Sequence, residues 1–355
     1  MALYVLVFII LIFLALVEVL KRNTRVSFLT GSLLALMAGF RFSTGYDFES
    51  YKKFYESLDN INDVFNGTID AESGYLLINF LFKSIGFNFY FFILFFSVLS
   101  MSLLSYFLYT HTKFPSMFLL YYYSRFFLVR DMGQIRSSLA CIILLYAIPY
   151  IEKKKPIHFL IIVLTASLFH ISALFFIIAY LFNGLFKKLS IQNILVLLSI
   201  AIMLGIIIQN PQLYLWAVPG RYISYFTNPN YTNGKWILNP ILWMQLAIFA
   251  GGILCLRSKD RDEQKKYSLL LKIYFLASLI LLAAGDLGTV GGRISTLFAT
   301  LEVLIVPHLI LNLTRNKLLN LILFFGFSFI IFFLIFIVGG TYTQYIPYQT
   351  VFWIK

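Results

Sequence analysis

Twelve apolar runs, separated by short polar connections, constrain the fold of this chain more than any other feature. They lie at approximately 3–20, 26–40, 87–109, 115–129, 136–151, 157–169, 171–186, 190–208, 237–256, 267–284, 294–313 and 318–339. A hydrocarbon core about 30 Å thick takes a helix of ~20 residues. Inside it each backbone polar group must be satisfied within its own helix. With 60% of its 355 residues hydrophobic and 12% charged, the chain falls outside the range of soluble globular domains. The expected fold is an all-α polytopic integral membrane protein with about 12 transmembrane helices (10–14), forming a single transmembrane domain over 1–355. Several runs are shorter than a perpendicular span, which predicts that some helices are broken. The first run, MALYVLVFIILIFLALVEVLKR, lacks a basic leader and a small-residue cleavage site, and its charge follows the apolar stretch. It reads as a retained first span with the N-terminus outside.

Orientation comes from the basic clusters KRNTR (21–25), HTK (111–113), EKKK (152–155), KK (187–188), RSKDRDEQKK (257–266) and RNK (315–317). With twelve spans and an external N-terminus, all six fall on one side, the pattern of cytoplasmic loops. They hold 16 of the 28 Lys and Arg residues. The net charge of +13 is thereby explained by topology and not by nucleic acid. The stretch 157–186 reads as two thin passes with FHIS (169–172) at the outer turn. Two outer loops, 41–86 and 209–236, form an external substrate-facing cap.

The opposite face then collects Arg41, Arg125, Arg130, Arg136, Arg221 and Arg293, six of the eleven arginines, with Asp47, Glu49, Asp131, His170 and Asp286. Charges that oppose the insertion bias point to function. A guanidinium offers a planar fork that binds phosphate oxygens bidentately and stays charged at any relevant pH. Several of them at one leaflet suit a diphosphate whose lipid tail remains in the bilayer. Arg136 and Arg293 each open an apolar helix beside small residues, where backbone N–H groups add to the attraction. Pairing with Asp131, Asp286 and lipid headgroups is the structural alternative.

The segment 39–75 carries aromatics every few residues. Asp47 to Tyr55 is expected to be an amphipathic helix with Phe48, Tyr51 and Tyr55 on one face, a spacing that suits packing as well as stacking on sugar rings. Asp47 follows Gly45 in a turn-like STGYD, and His170 sits at the expected outer turn; either could act as a base. Tyr46, Tyr51, Gln134, Arg221 and Asp286 are candidate substrate-binding residues. Glu302 lies nine residues after Arg293 in the expected same helix, on its opposite face, and is expected to pair with a neighbouring helix. Cys141 and Cys255 are isolated in apolar stretches. No Walker loop, GxGxxG, HExxH or CxxC occurs, so no cofactor and no metal are expected.

Three stretches resemble the EpsG family of exopolysaccharide proteins, grouped with the Wzy-type O-antigen and capsular polysaccharide polymerases. They are RFSTGYDFESYKKFY (41–55), QIRSSLACIILLYAIPYIEKKKPIHFLIIVLTASLFHISALFF (134–176) and GGRISTLFATLEVLIVPHL (291–309). The resemblance implies a multi-pass protein of the bacterial inner membrane, GT-C-like in arrangement, with its active site facing the periplasm or exterior. The implied activity is transfer of a growing glycan from undecaprenyl pyrophosphate to a lipid-linked oligosaccharide repeat unit. Partners would be those lipid-linked oligosaccharides, membrane lipids and a chain-length regulator, with no nucleic acid. Asp47 or His170 would then be the base, and Arg136, Arg293, Arg41 and Arg130 would hold the pyrophosphate. An O-antigen ligase-like transferase and a lipid-linked oligosaccharide flippase are the competing readings; a flippase would be expected to show internal repeats.

Overall fold

A computed structural model describes residues 1–186, 188–220, 223–229, 232, 235–256 and 261–353. In chain order its regular elements are α1 (Ala2–Lys21), α2 (Val26–Gly39), β1 (Arg41–Phe42), α3 (Phe48–Glu56), α4 (Ser73–Ser84), α5 (Phe89–His111), α6 (Pro115–Tyr122), α7 (Leu128–Arg130), α8 (Ile135–Leu145) and α9 (Ile148–Glu152). They continue with α10 (Pro156–Ser167), α11 (Ile177–Leu185), α12 (Ile191–Ile208), α13 (Ser224–Thr227), α14 (Pro240–Leu256), α15 (Arg261–Ala284), α16 (Gly288–Ala299), α17 (Glu302–Leu311), α18 (Lys317–Phe333) and β2 (Gln349–Thr350). A π-helical turn, Tyr123–Phe127, joins α6 to α7.

Each of the twelve apolar runs is helical over most of its length. The protein is an all-α polytopic membrane protein. Among the described residues six helices are long and apolar enough to cross a membrane, or seven if the bent pair Gly288–Ala299 and Glu302–Leu311 is one span. Val26–Gly39, Pro156–Ser167, Ile171–Leu185 and Pro240–Cys255 are apolar but shorter. The stretch 157–186 does break, after Ser167, and resumes as a 3₁₀ turn at Ile171–Phe176.

Local chemistry sets several helix starts. The Asn88 side chain accepts from the Phe91 N–H at 3.0 Å, Ser190 from Asn193 at 3.1 Å, and Asn316 from Leu318 at 3.0 Å. Each satisfies a first-turn donor that the helix itself leaves open. Pro115 opens α6, where its missing N–H costs nothing. The next N–H, of Ser116, donates to Glu18 Oε2 of α1 at 2.8 Å.

The chain forms two compact units. The first comprises 1–146, 164–171 and 310–355. Here α2 packs along α5, α1 against α2 and α6, α8 against α5, and α18 against the π turn. Its core contains an aromatic cluster of Phe48, Tyr51, Tyr55, Tyr75, Phe89, Phe92 and Phe96. The expected Phe48–Tyr51–Tyr55 face is therefore a packing face. The second unit comprises 147–163 and 172–309, and is built around α15, which contacts α11, α12, α14 and α16.

Candidate functional site

The α3 segment and α4 bring the acidic stretch between α2 and α5 onto the chain turn after α10. Gly74 permits this. A β carbon there would fall 2.6 Å from Leu168 Cβ, and the Tyr75 N–H donates to the Leu168 carbonyl at 3.2 Å. The residue just before α4, Glu72, is thereby carried to His170. Its Oε1 accepts from His170 Nδ1 at 3.0 Å and from the Ile171 N–H at 3.1 Å, while its Oε2 is ion-paired with Arg136 Nη1. One carboxylate thus bridges an imidazole and a guanidinium that are 34 residues apart in the sequence.

Burial alone would raise the Glu72 pKa. The His170 hydrogen bond, the nearby charges of Arg136 and His170 and the Ile171 N–H overcome that, and hold it down at about 2. Glu72 is therefore ionised across the physiological range. With Nδ1 against a carboxylate, the imidazole proton belongs on Nδ1, an assignment made from the hydrogen-bond geometry. His170 Nε2 is then the free acceptor, and it is buried without a hydrogen-bond partner.

Arg136 lies in the first turn of α8. Its guanidinium carbon stands 5.8, 5.5 and 5.6 Å from the ring centres of Tyr51, Phe54 and Tyr75. The side chain remains about a fifth exposed, so the ion pair does not enclose it. Asp131 is not its partner. That carboxylate accepts from the Tyr122 hydroxyl at 2.5 Å and the Ser138 hydroxyl at 2.8 Å. Burial pushes Asp131 up to about 6, against those two hydrogen bonds and the charges of Arg130 and Arg41. Arg130 is 3% exposed and lies over the Phe126 ring at 3.9 Å. Arg41 is fully buried, donates through Nη1 to the Ala38 carbonyl, and lies 5.7 Å from the centre of the Phe48 ring.

The remaining candidates divide. Asp47 precedes α3 and takes the Tyr51 hydroxyl at a long 3.5 Å. Tyr46 is exposed, Tyr51 is in the aromatic core, and Gln134 stands before α8 as its N-terminal boundary. All of these belong to the first unit, with Arg41, Arg130, Arg136 and His170. Arg293 and Asp286 belong to the second. Arg293 is exposed on α16, and Asp286 is partly buried in the turn between α15 and α16. Arg221 lies outside the described residues. Arg293 and Glu302 do not share one straight helix, because the chain bends by 51° between α16 and α17. Glu302 does meet a neighbouring helix, accepting from the Tyr274 hydroxyl of α15 at 3.2 Å.

The EpsG family model matches residues 24–350, nearly the whole chain. The protein belongs to the EpsG family. Membership supports a polysaccharide-polymerase type of function in a multi-pass membrane protein. No curated protein and no solved structure matches the chain. The EpsG match includes Glu72, the residue that sequence reading passed over. Its signal was an acid two residues before Gly74 at the start of an apolar run, in AESGYLL. Tyr345 was also missed, because nothing in TYTQYIPYQT marks the tail as returning to Arg41.

Proposed function

We propose that this chain is a bacterial polysaccharide polymerase that acts on undecaprenyl-pyrophosphate-linked glycans at the outer face of the inner membrane. The observation that carries this reading is the Glu72 bridge. It fixes His170 with an unpaired Nε2 in the same unit as three candidate phosphate-binding arginines, in a chain of the EpsG family.

In the proposed reaction the terminal sugar hydroxyl of a lipid-linked repeat unit attacks C1 of the growing glycan. The new C1–O bond forms as the bond from C1 to the pyrophosphate oxygen breaks. The hydroxyl proton passes to His170 Nε2, and undecaprenyl pyrophosphate leaves with the electron pair of the broken bond. Glu72 acts as a positioning residue: it sets the imidazole tautomer and stabilises the imidazolium that forms, the logic of a carboxylate behind a histidine base. Asp47 is the competing base, and its contact with Tyr51 makes it the less open acceptor.

Arg41, Arg130, Arg136 and Arg293 are assigned to the departing pyrophosphate, whose charge grows in the transition state. Arg136 does so while paired with Glu72, through donors beyond that pair. Guanidinium groups supply the cationic charge that a divalent ion supplies elsewhere, so the reaction is metal-independent in this reading. Tyr46, Gln134, Arg221 and Asp286 are assigned to the glycan, whereas Tyr51, packed in the aromatic core, is not.

The test uses purified protein and the native lipid-linked repeat unit, without nucleotide and with EDTA. Wild type should produce a ladder of glycan lengths. His170→Gln should slow chain growth by about 10²–10⁴-fold, while Asp47→Asn retains most of it. A His170→Gln protein that builds the ladder at the wild-type rate removes the base assignment. Absence of any ladder from wild type with intact substrate transfers the reading to the ligase or flippase class.

A further inference from the structure

The chain after α18 turns back onto the β1 region and is stitched there by backbone. Arg41 pairs with Thr350 and Phe42 with Gln349 in the two-stranded β1–β2 ribbon. The Gly45 N–H donates to the Gln344 carbonyl at 3.0 Å, and the Val351 N–H to the Phe40 carbonyl at 3.0 Å. Tyrosines reinforce the seam: the Tyr4 hydroxyl donates to the Tyr345 carbonyl at 2.6 Å, and the Tyr348 hydroxyl to the Met37 carbonyl at 2.7 Å. The Tyr345 ring stands edge-on to Tyr46, with centroids 5.8 Å apart. Its hydroxyl lies against Gly133, where an added β carbon would fall 2.7 Å from the oxygen.

Within this enclosure three strong donors have no acceptor. Arg41 Nε and Nη2 and the Tyr345 hydroxyl are buried without a hydrogen-bond partner among the described residues. Arg41 and Tyr345 are both 0% exposed. A buried guanidinium with open N–H groups is among the costliest arrangements in a protein. The acid that could compensate it, Asp131, is already bonded to two hydroxyls. Burial pulls the Arg41 pKa down, and the groups that favour its charge are the Tyr345, Tyr51 and Tyr348 hydroxyls and the Asp131 carboxylate. Tyr348 and Asp131 are spent on other partners; Tyr345 is not.

We propose that Arg41 Nε and Nη2 and the Tyr345 hydroxyl form one donor set for phosphoryl oxygens, and that the tail Thr341–Trp353 is the strap that delivers Tyr345 to it. The planar fork of Arg41 takes two oxygens of one phosphoryl group, and the Tyr345 hydroxyl takes a third. In the polymerase reading, on which only the identity of the lipid rests, that group belongs to the diphosphate of the polyprenyl carrier. The strap makes the site complete only when the tail is in place, so binding and tail ordering are linked.

The test is binding of undecaprenyl pyrophosphate to the full chain in nanodiscs, with inorganic pyrophosphate as competitor and undecaprenol as the phosphate-free control. Tyr345→Phe keeps the ring contacts and removes one donor; Tyr348→Phe removes a hydroxyl already used by Met37. The expected result is affinity weakened roughly tenfold or more by Tyr345→Phe, similarly by Arg41→Lys, and little changed by Tyr348→Phe. Competition by inorganic pyrophosphate supports a site that reads the diphosphate itself. Competition by the lipid alone supports one that also uses the carrier tail. Wild-type affinity in Tyr345→Phe overturns the site, as does equal binding of undecaprenol. A chain that binds the diphosphate lipid with this pattern but builds no glycan ladder keeps the site and loses the polymerase reading. A ladder with unaltered Tyr345→Phe binding does the reverse.

Discussion

Arg136 and Arg41 occupy the same unit and are alike in sequence, each an arginine expected on the face opposite the basic clusters, yet the fold treats them oppositely. Arg136 is given a carboxylate, three aromatic faces and some solvent. Arg41 is sealed completely and left with two open nitrogens. The first arrangement is built to hold a charge steady. The second is costly unless something anionic is bound, and such a cost is a stronger sign of a ligand than charge alone.

Removing Glu72 should break this contrast most severely, because it turns Arg136 into a second uncompensated arginine. Glu72→Ala is expected to destabilise the protein by about 4 kcal/mol, the range for stripping one partner from a largely buried pair. Unfolding in mild detergent measures it. The double variant with Arg136→Ala should recover a good part of the loss. If the two substitutions simply add, the bridge contributes nothing and the contrast is false.

Gly45→Ala attacks the other end. Gly45 has φ +107, and a β carbon there would collide with the Met132 carbonyl. The expected cost is about 3 kcal/mol. It falls on the seam that brings Gln344, and with it Tyr345, over Arg41. Diphosphate binding should therefore weaken along with stability. A variant that loses stability but binds as tightly as wild type would separate the seam from the ligand site.

Acid sharpens the comparison more gently. The Glu72 pKa is lower in the folded protein, about 2, than the ordinary 4.5. The stability it contributes is present above pH 4.5 and is lost as the pH falls through the folded value. The loss should be on the order of 3 kcal/mol, read as the difference in acid sensitivity between wild type and Glu72→Gln. Parallel acid curves for the two proteins would show that Glu72 has no such depressed pKa. Arg41 has no carboxylate of its own to titrate in that window, so the Arg41–Tyr345 site should not share the effect.

The twelve apolar runs, the aromatic face of α3 and the break before His170 were all legible, because each is written in local periodicity or composition. Partnerships were not. Arg136 reads as a phosphate ligand or an Asp131 partner, and only tertiary contact shows Glu72, 64 residues upstream, as its ion pair. Tyr345 is a tyrosine among interfacial tyrosines until a ribbon spanning more than 300 residues of sequence lays it on the Arg41 side. Hydropathy marks where a run is apolar but not where the helix bends, as it does between α16 and α17.

Arg293 offers the smallest structural effect and a clean discrimination. It is exposed on α16, the opposite of Arg41 in every respect but charge. Arg293→Ala should therefore change unfolding by less than about 0.5 kcal/mol, as surface substitutions do. Under the proposed function the same change should slow polymerisation, since a residue that contributes nothing to packing keeps its charge for the substrate. Stability and turnover are thus separable at Arg293, whereas at Glu72 they fall together. A variant that polymerises at the wild-type rate would confine the pyrophosphate contacts to the arginines of the first unit. One that unfolds readily would make Arg293 an anchor of its helix and remove it from the site.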